Sequence, residues 1–322
     1  MIMVINPTNN SVAKSMGAIT PPEPADEPPM SQDRWRSYTD PAEAQFHEPV
    51  PARLRRWVLG VAYALMPKRI SLVPRLVMMT IAYWLKPKRD RDCLPEHPIF
   101  CGSQGLIGIS NDINVETLLA RYRLGWFPFC HVGPMKWWSP EERAVMAPQD
   151  IRIDKRARRL LRQNEFLVTF DEDFAGVVEA SAAPRFGKTP LTWITPRMMH
   201  AYWALHAAGY AHSVEVWDED HQLVAGLYGV AIGGVFFAES RFARVDNASK
   251  VGVVVLHHHL AHWGFGLRDA KWMSPHLASL GFRPVSREAF DRLLATYAWR
   301  PSRVGRWTVD EGLDTANWRP ST

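Results

Sequence analysis

Three groups of residues in this 322-residue chain are of types that do chemistry at their spacing. His257, His258, His259 and His262 crowd one short stretch, and on a helix His258 and His262, four apart, share a face, as two metal ligands would. No carboxylate stands at ligand spacing beside them, so they read as the polar face of a helix and no metal is expected. Asp269 and Lys271 are two apart, which on a strand puts both side chains on one face. A carboxylate and an ammonium that share a face can act together in a site. A plain Asp269–Lys271 ion pair is the competing reading. Glu239 interrupts an otherwise apolar run, where a carboxylate needs a partner such as Arg241. Cys93, Cys101 and Cys130 form no Cys-x-x-Cys pair, which argues against a structural zinc or a disulfide framework and for a reducing, cytoplasmic setting. No Gly-x-Gly-x-x-Gly, Walker loop or Gly-x-Ser-x-Gly elbow occurs, and no cofactor is expected.

The elements that must position these groups begin near Pro95. A helix is expected over 114–125, closed by Gly125, and another over 198–208, closed by Gly209. Strands are expected over 213–217 and 223–232, joined by a polar turn, with 234–239 as the next hairpin partner. Asn247 is an N-cap candidate for a helix from Ala248 to about Trp263, and 267–273 reads as the strand after it. Mixed helices and antiparallel hairpins argue an α+β fold.

The net charge of +5 changes meaning when divided along the chain. Residues 1–52 carry three basic and seven acidic side chains, residues 53–89 nine basic and no acidic ones, and residues 90–322 balance. A body without net positive charge excludes a long sequence-independent nucleic-acid groove and leaves room for a local contact. Nine prolines in residues 1–51, with no sustained apolar period, give a disordered tail over 1–52 and no secretory signal. In the basic segment 53–94, two apolar runs with cationic borders, of 10 and 16 residues, fall short of the roughly 20 that span a bilayer. Two readings stand for this segment: amphipathic helices lying on an anionic membrane surface, with Trp57, Tyr83 and Trp84 as interface anchors, or helices packed on the body. The remaining chain divides into a small N-terminal domain (95–180), a catalytic domain (181–295) and a C-terminal tail (296–322).

Several short motifs occur in fixed order. Tyr122-Arg123-Leu124-Gly125-Trp126-Phe127-Pro128 precedes Lys136-Trp137-Trp138-Ser139-Pro140, then Thr192-Trp193-Ile194-Thr195. His212-Ser213-Val214-Glu215-Val216-Trp217 leads to Gly226-Leu227-Tyr228-Gly229, and Phe237-Ala238-Glu239-Ser240 to Asn247-Ala248-Ser249-Lys250 and Ala278-Ser279-Leu280-Gly281. Over about residues 100–290 the chain resembles the leucyl/phenylalanyl-tRNA–protein transferase family. The resemblance implies a larger domain similar to the GCN5-related acetyltransferase fold beside a smaller α/β domain. It also implies transfer of Leu or Phe from the 3′ acceptor end of aminoacyl-tRNA to a protein whose N-terminal residue is Arg or Lys, marking that protein for degradation. Such chemistry is aminolysis of an activated ester, which requires positioning and no nucleophilic Ser or Cys.

By the same resemblance Trp193 would pack against the 3′ adenosine, and Tyr122 and Tyr202 would line the entrance. Phe237, Leu227, Leu256 and Leu260 would form the pocket for the aminoacyl side chain, although Leu256 and Leu260, four apart, have equally the spacing of a core helix. Glu239, Ser240 and Arg241 would complete the substrate-binding set, Glu239 holding the substrate backbone or the acceptor amine, with Trp137 and Trp138 structural. Asp269 and Lys271 fall where the family has an Asp-Cys-Gln run. There the glutamine carbonyl accepts from the attacking amine, with the aspartate orienting it; an ammonium, having only donors, cannot accept, so Lys271 would instead stabilise the developing oxyanion or, with its pKa lowered by burial, act as a base. Arg241 replaces a usual methionine, Phe129 a common tryptophan, and Ser110-Asn111 a glycine pair. Two alternatives stand beside this reading: a non-catalytic, membrane-tethered relative that binds protein N-termini or a tRNA end, and an acyl-coenzyme A-dependent enzyme. The second lacks the glycine loop that would cradle a pyrophosphate.

Overall fold

The computed structural model describes residues 46–66, 70, 73–87, 90, 92, 105–184 and 191–321. The proline-rich stretch 1–45, Cys93, Cys101 and the cations Lys68, Arg69, Lys88 and Arg89 lie outside the described residues.

Two helices come first, α1 (Val50–Ala64) and α2 (Val73–Leu85). Each docks one side on the body: a Cβ on Gly60 would come within 2.5 Å of Val132, Leu76 and Met79 pack on the main core, and Tyr83 is buried. Arg56 pins α1 through an ion pair with Glu48 and a hydrogen bond to the His131 carbonyl.

A small antiparallel sheet follows, built from β1 (Leu106–Ile109), β2 (Phe127–Pro128) and β3 (Lys136–Trp138) in the order β1-β3-β2, with α3 (Val115–Arg123) inserted after β1. The Asn114 side chain caps α3 by accepting from the Thr117 amide. Gly125 lets the chain leave the helix at φ +73°, at a point where a Cβ would strike Phe290 at 2.7 Å. The larger sheet has seven strands: β4 (Glu142–Met146), β5 (Leu167–Phe170), β6 (Ala211–Trp217), β7 (Leu223–Ile232), β8 (Val235–Ala243), β9 (Leu267–Asp269) and β10 (Arg283–Ser286). Their order is β10-β4-β9-β8-β7-β6-β5, antiparallel throughout except for the parallel pair β8–β9. The helices among them are α4 (Lys155–Gln163), α5 (Phe174–Ala182), α6 (Pro196–Ala207), α7 (Ala248–His262), α8 (Pro275–Leu280) and α9 (Arg287–Tyr297). Two sheets carrying helices make the fold α+β, as the mixed pattern indicates.

The period of two along the strands sorts the core into two clusters. Tyr228, Val230 and Phe237 face one cluster, with Tyr122, Val177 and Tyr202 from α3, α5 and α6. Leu227, Ala231 and Phe236 face the other, with Val253, Leu256 and Leu260 of α7.

The structure departs from the sequence reading in five places. Residues 46–52, assigned to the disordered tail, are ordered: Phe46 is buried and α1 begins at Val50. The boundary placed at 180/181 does not separate two bodies, because β4 and β5 enter the large sheet and one cluster runs from Leu106 to Ala298. Residues 296–321, assigned to a C-terminal tail, are anchored on the body: Trp307 is buried, stacked on His212 with ring centroids 3.7 Å apart. Asn247 makes no side-chain cap; it sits at φ +66°, and α7 starts from backbone bonds instead. The strand expected over 267–273 ends at Asp269, since Lys271 turns the chain at φ +64°.

Candidate active site

A cavity of about 400 Å³ opens beside the β8–β9 pair, walled by Tyr63, Phe129, Trp138, Trp193 and Trp272 and floored by Ala238, Glu239, Ala270 and Lys271. Its polar floor is one connected network. The Lys271 ammonium contacts Glu239 Oε2. Tyr202 donates to the same oxygen at 2.7 Å, and Tyr122 donates to Oε1 at 2.6 Å. The two phenol oxygens are 3.0 Å apart. Beneath it, Arg143 grips Asp269 by two hydrogen bonds of 2.9 Å and donates to the Gly125 carbonyl at 2.7 Å.

Local geometry explains why these groups converge. In the β7–β8 ladder Tyr228 pairs with Ser240 and Gly229 with Ala238, so Glu239 has no partner and forms a bulge that disrupts the regular phase. Glu239 keeps to the face of Tyr122 and Tyr202, while Arg241, paired with Leu227, falls on the opposite one. On β9, Asp269 pairs with Phe237 on one side and Val145 on the other, deep in the sheet. The turn at Lys271 is held by its amide donating to Asp269 Oδ1 at 3.0 Å and its carbonyl accepting from Ala144. Its ammonium lies 4.8 Å from the Phe127 ring centroid and 5.6 Å from that of Trp193.

Burial pushes the Lys271 ammonium below the ordinary lysine range, against the upward pull of Glu239 and Asp269. Burial, reinforced by Glu239, raises the Tyr122 and Tyr202 phenols well above theirs, so both are donors to the carboxylate. Arg268 is lowered to about 9 by burial and by Arg241, on the far side of the sheet.

The structure therefore brings Tyr122, Tyr202, Glu239 and Lys271 together, with Trp193 across the cavity. The partner assignments differ from the expected ones. Lys271 pairs with Glu239, not Asp269, because the turn after β9 takes its side chain out of strand phase. Glu239 pairs with Lys271, not Arg241, which the bulge sends to the other face. Leu227, Leu256 and Leu260 are fully buried in the opposite cluster and do not line the cavity. Phe237 is also fully buried, packed on Tyr122 at 5.2 Å between centroids. Ser240 is half-buried in the bulge. Trp137 is core, donating to the Ser110 carbonyl, whereas Trp138 also lines the cavity. Each of the three consecutive histidines is engaged elsewhere: His257 on Pro148 and Arg268, His258 on Thr315 and His259 on Val255 and Asp310. Among the described residues no group of three or more metal-ligating side chains gathers. Sequence reasoning missed Arg143, the buried partner of Asp269, whose one signal is a cation inside the run Arg143-Ala144-Val145-Met146. It also missed Tyr63, which reaches the cavity from outside the motif region.

Two family models match the chain, Leucyl/phenylalanyl-tRNA protein transferase over residues 145–295 and its N-terminal domain over residues 111–141. A leucyl/phenylalanyl-tRNA–protein transferase of Pseudomonas syringae pv. syringae (strain B728a) is 46% identical over 220 residues, 68% of this chain and 95% of the relative. One from Pseudomonas aeruginosa is 46% identical over 219 residues, 68% of this chain and 96% of the relative. Among solved structures, L-PGS from Bacillus licheniformis matches at a TM-score of 0.27 and 12% identity, over 49% of this chain and 50% of that one, too slight a likeness to assign a fold. The matches define an aminoacyltransferase. The chain belongs to the leucyl/phenylalanyl-tRNA–protein transferase family, with residues 1–110 standing ahead of the part that the family models cover.

Proposed function

We propose that the protein transfers an apolar aminoacyl group of the Leu/Phe kind from the 3′ end of aminoacyl-tRNA to the N-terminal amine of an acceptor protein whose first residue is Arg or Lys. The observation that carries this is the Lys271–Glu239 pair on the floor of a cavity whose walls are aromatic. An aromatic wall suits both the terminal adenine, stacked on Trp193, and an apolar aminoacyl side chain among Phe129, Trp138 and Trp272. The acceptor amine attacks the ester carbonyl carbon, and a C–N bond forms. The C–O bond to the ribose breaks, and the proton lost by the amine ends on the ribose oxygen. Of the three N–H groups of the Lys271 ammonium, one is held by Glu239 and the others are available to the oxyanion. Asp269 is a positioning residue, because Arg143 and the Lys271 amide already occupy its oxygens. Tyr122 and Tyr202 fix the Glu239 carboxylate. The acceptor preference for Arg or Lys rests on the family resemblance. We assign the large sheet to the GCN5-related acetyltransferase type on its one parallel pair, β8–β9, beside which the cavity opens.

The test is incubation of the full chain with charged tRNAs and a peptide bearing N-terminal Arg, followed by mass measurement of the peptide. Addition of one leucyl or phenylalanyl residue is expected. No addition with any charged tRNA overturns the proposal in favour of a non-catalytic binder.

A further inference from the structure

Thirteen of the 17 exposed large hydrophobic side chains among the described residues lie between Val50 and Leu85. Helices α1 and α2 thus dock by one side and bare an apolar stripe on the other. Trp57, Val58 and Val61 recur at helical spacing on α1, as do Val77, Ile81 and Trp84 on α2, all at least 46% exposed. Between the helices runs an open groove of about 690 Å³ bounded by both tryptophans. Apolar area of this extent on a monomer marks an interaction surface.

Charge identifies the occupant. Residues 53–89 hold nine cations and no acid, and Arg53, Arg55 and Arg75 are exposed on these two helices. An apolar protein partner would leave those cations unmatched, and a polynucleotide would leave the aliphatic stripe in water. A bilayer with anionic headgroups satisfies both, taking apolar side chains to the acyl boundary and cations to the headgroups. Neither helix is long and apolar enough to cross a membrane. Exposed Trp57 and Trp84 are of the type that settles at that interface.

We infer that α1 and α2 form a monotopic docking surface for an anionic lipid bilayer, lying in its plane with the groove toward the lipid. The consequence for the site is direct. Tyr63, on the inner side of α1, is part of the cavity wall, so the helix that meets the lipid also bounds the active site. A transferase held this way meets acceptor N-termini presented at a membrane surface.

Sedimentation of the full chain with vesicles of phosphatidylglycerol and phosphatidylcholine in equal parts, against phosphatidylcholine alone, tests this. Binding to the anionic vesicles is expected, weakening but not vanishing when salt shortens the Debye length to about 3 Å. Trp57→Glu with Trp84→Glu should abolish it while leaving the thermal transition and transfer to a soluble peptide unchanged, since both side chains lie outside the core and the site cavity. Retention of the full chain in the supernatant at low salt overturns the inference, as does equal binding by the double variant. A lipid-free dimer that the double variant dissolves would assign the face to a second copy, and loss of tRNA binding alone would assign it to nucleic acid.

Discussion

Arg143 and Asp269 lie 126 positions apart in the chain and meet through two parallel hydrogen bonds of 2.9 Å, both side chains at most 1% exposed. The pair ties β4 to β9 beneath the site, and the guanidinium also covers the rings of Phe127 and Phe290 at 4.9 and 4.4 Å. Removing one partner strands a buried charge, which costs about 3–5 kcal/mol, whereas replacing both with apolar residues of similar volume is far milder. Arg143→Leu is therefore expected to be severely destabilising and Arg143→Leu with Asp269→Leu less so. Urea unfolding of the two proteins checks it, and equal losses would mean that the pair does not act as a unit.

Trp193 and Phe237 should behave oppositely. Phe237 is fully buried, and its truncation to alanine is expected to cost about 3–5 kcal/mol of stability. Trp193 is half-buried at the cavity wall, so Trp193→Ala should keep a near-native thermal transition. Its cost should fall on aminoacyl-adenosine binding, by roughly 5- to 150-fold, the scale of one base stack. Calorimetry for the first and binding titration for the second separate core from site.

Asp171 accepts from His212 at 2.8 Å, from the Ser213 amide at 2.8 Å and from the Trp307 amide at 2.7 Å, joining β6 to the C-terminal segment. Burial works to raise its pKa, but the bond to His212 and the charges of His212 and His206 leave it below the ordinary value. A carboxylate depressed on folding contributes stability fully above its unfolded value of about 3.9, and that contribution is lost as pH falls through the lower, folded value. Asp171→Asn should lower stability at neutral pH by about 1–3 kcal/mol and flatten its acid dependence. Melting curves from neutral to acid pH decide; parallel curves for the two proteins would remove Asp171 from the acid response.

What was legible in the sequence follows from what is local. Strand β7 is a near-continuous apolar run entered from a polar turn, and its expected limits, 223–232, are those observed. Helix α3 has a capping Asn114 and a closing Gly125, both local. The partners of Glu239 and Lys271 were not legible, since they depend on two backbone irregularities, the bulge at Glu239 and the left-handed turn at Lys271, that no apolar pattern encodes. Leu256 and Leu260 show the limit of helical spacing. It puts both on one face of α7 and cannot say which side of the sheet that face covers.

Lys271 is where chemistry and fold meet most closely. The proposed role as donor to the oxyanion requires an ammonium, and removing such a donor costs on the order of 10²–10³ in turnover, so Lys271→Ala should fall by that factor. Lys271→Gln still offers an N–H and should retain substantial activity. The two are distinguished from a structural role by pH. Transfer should rise with pH as the acceptor amine, with an ordinary value of about 7.7–8.0, becomes neutral. Burial lowers the Lys271 pKa, so the ammonium is lost at lower pH than an ordinary lysine and the wild-type rate should fall again on the alkaline side. Glutamine does not titrate, so the alkaline fall should vanish in Lys271→Gln while the rise remains. Rates for the three proteins between mildly acidic and alkaline pH are the measurement. An alkaline fall that persists in Lys271→Gln would place the titrating group elsewhere, and wild-type turnover from Lys271→Ala would reduce the Glu239 pair to a structural contact.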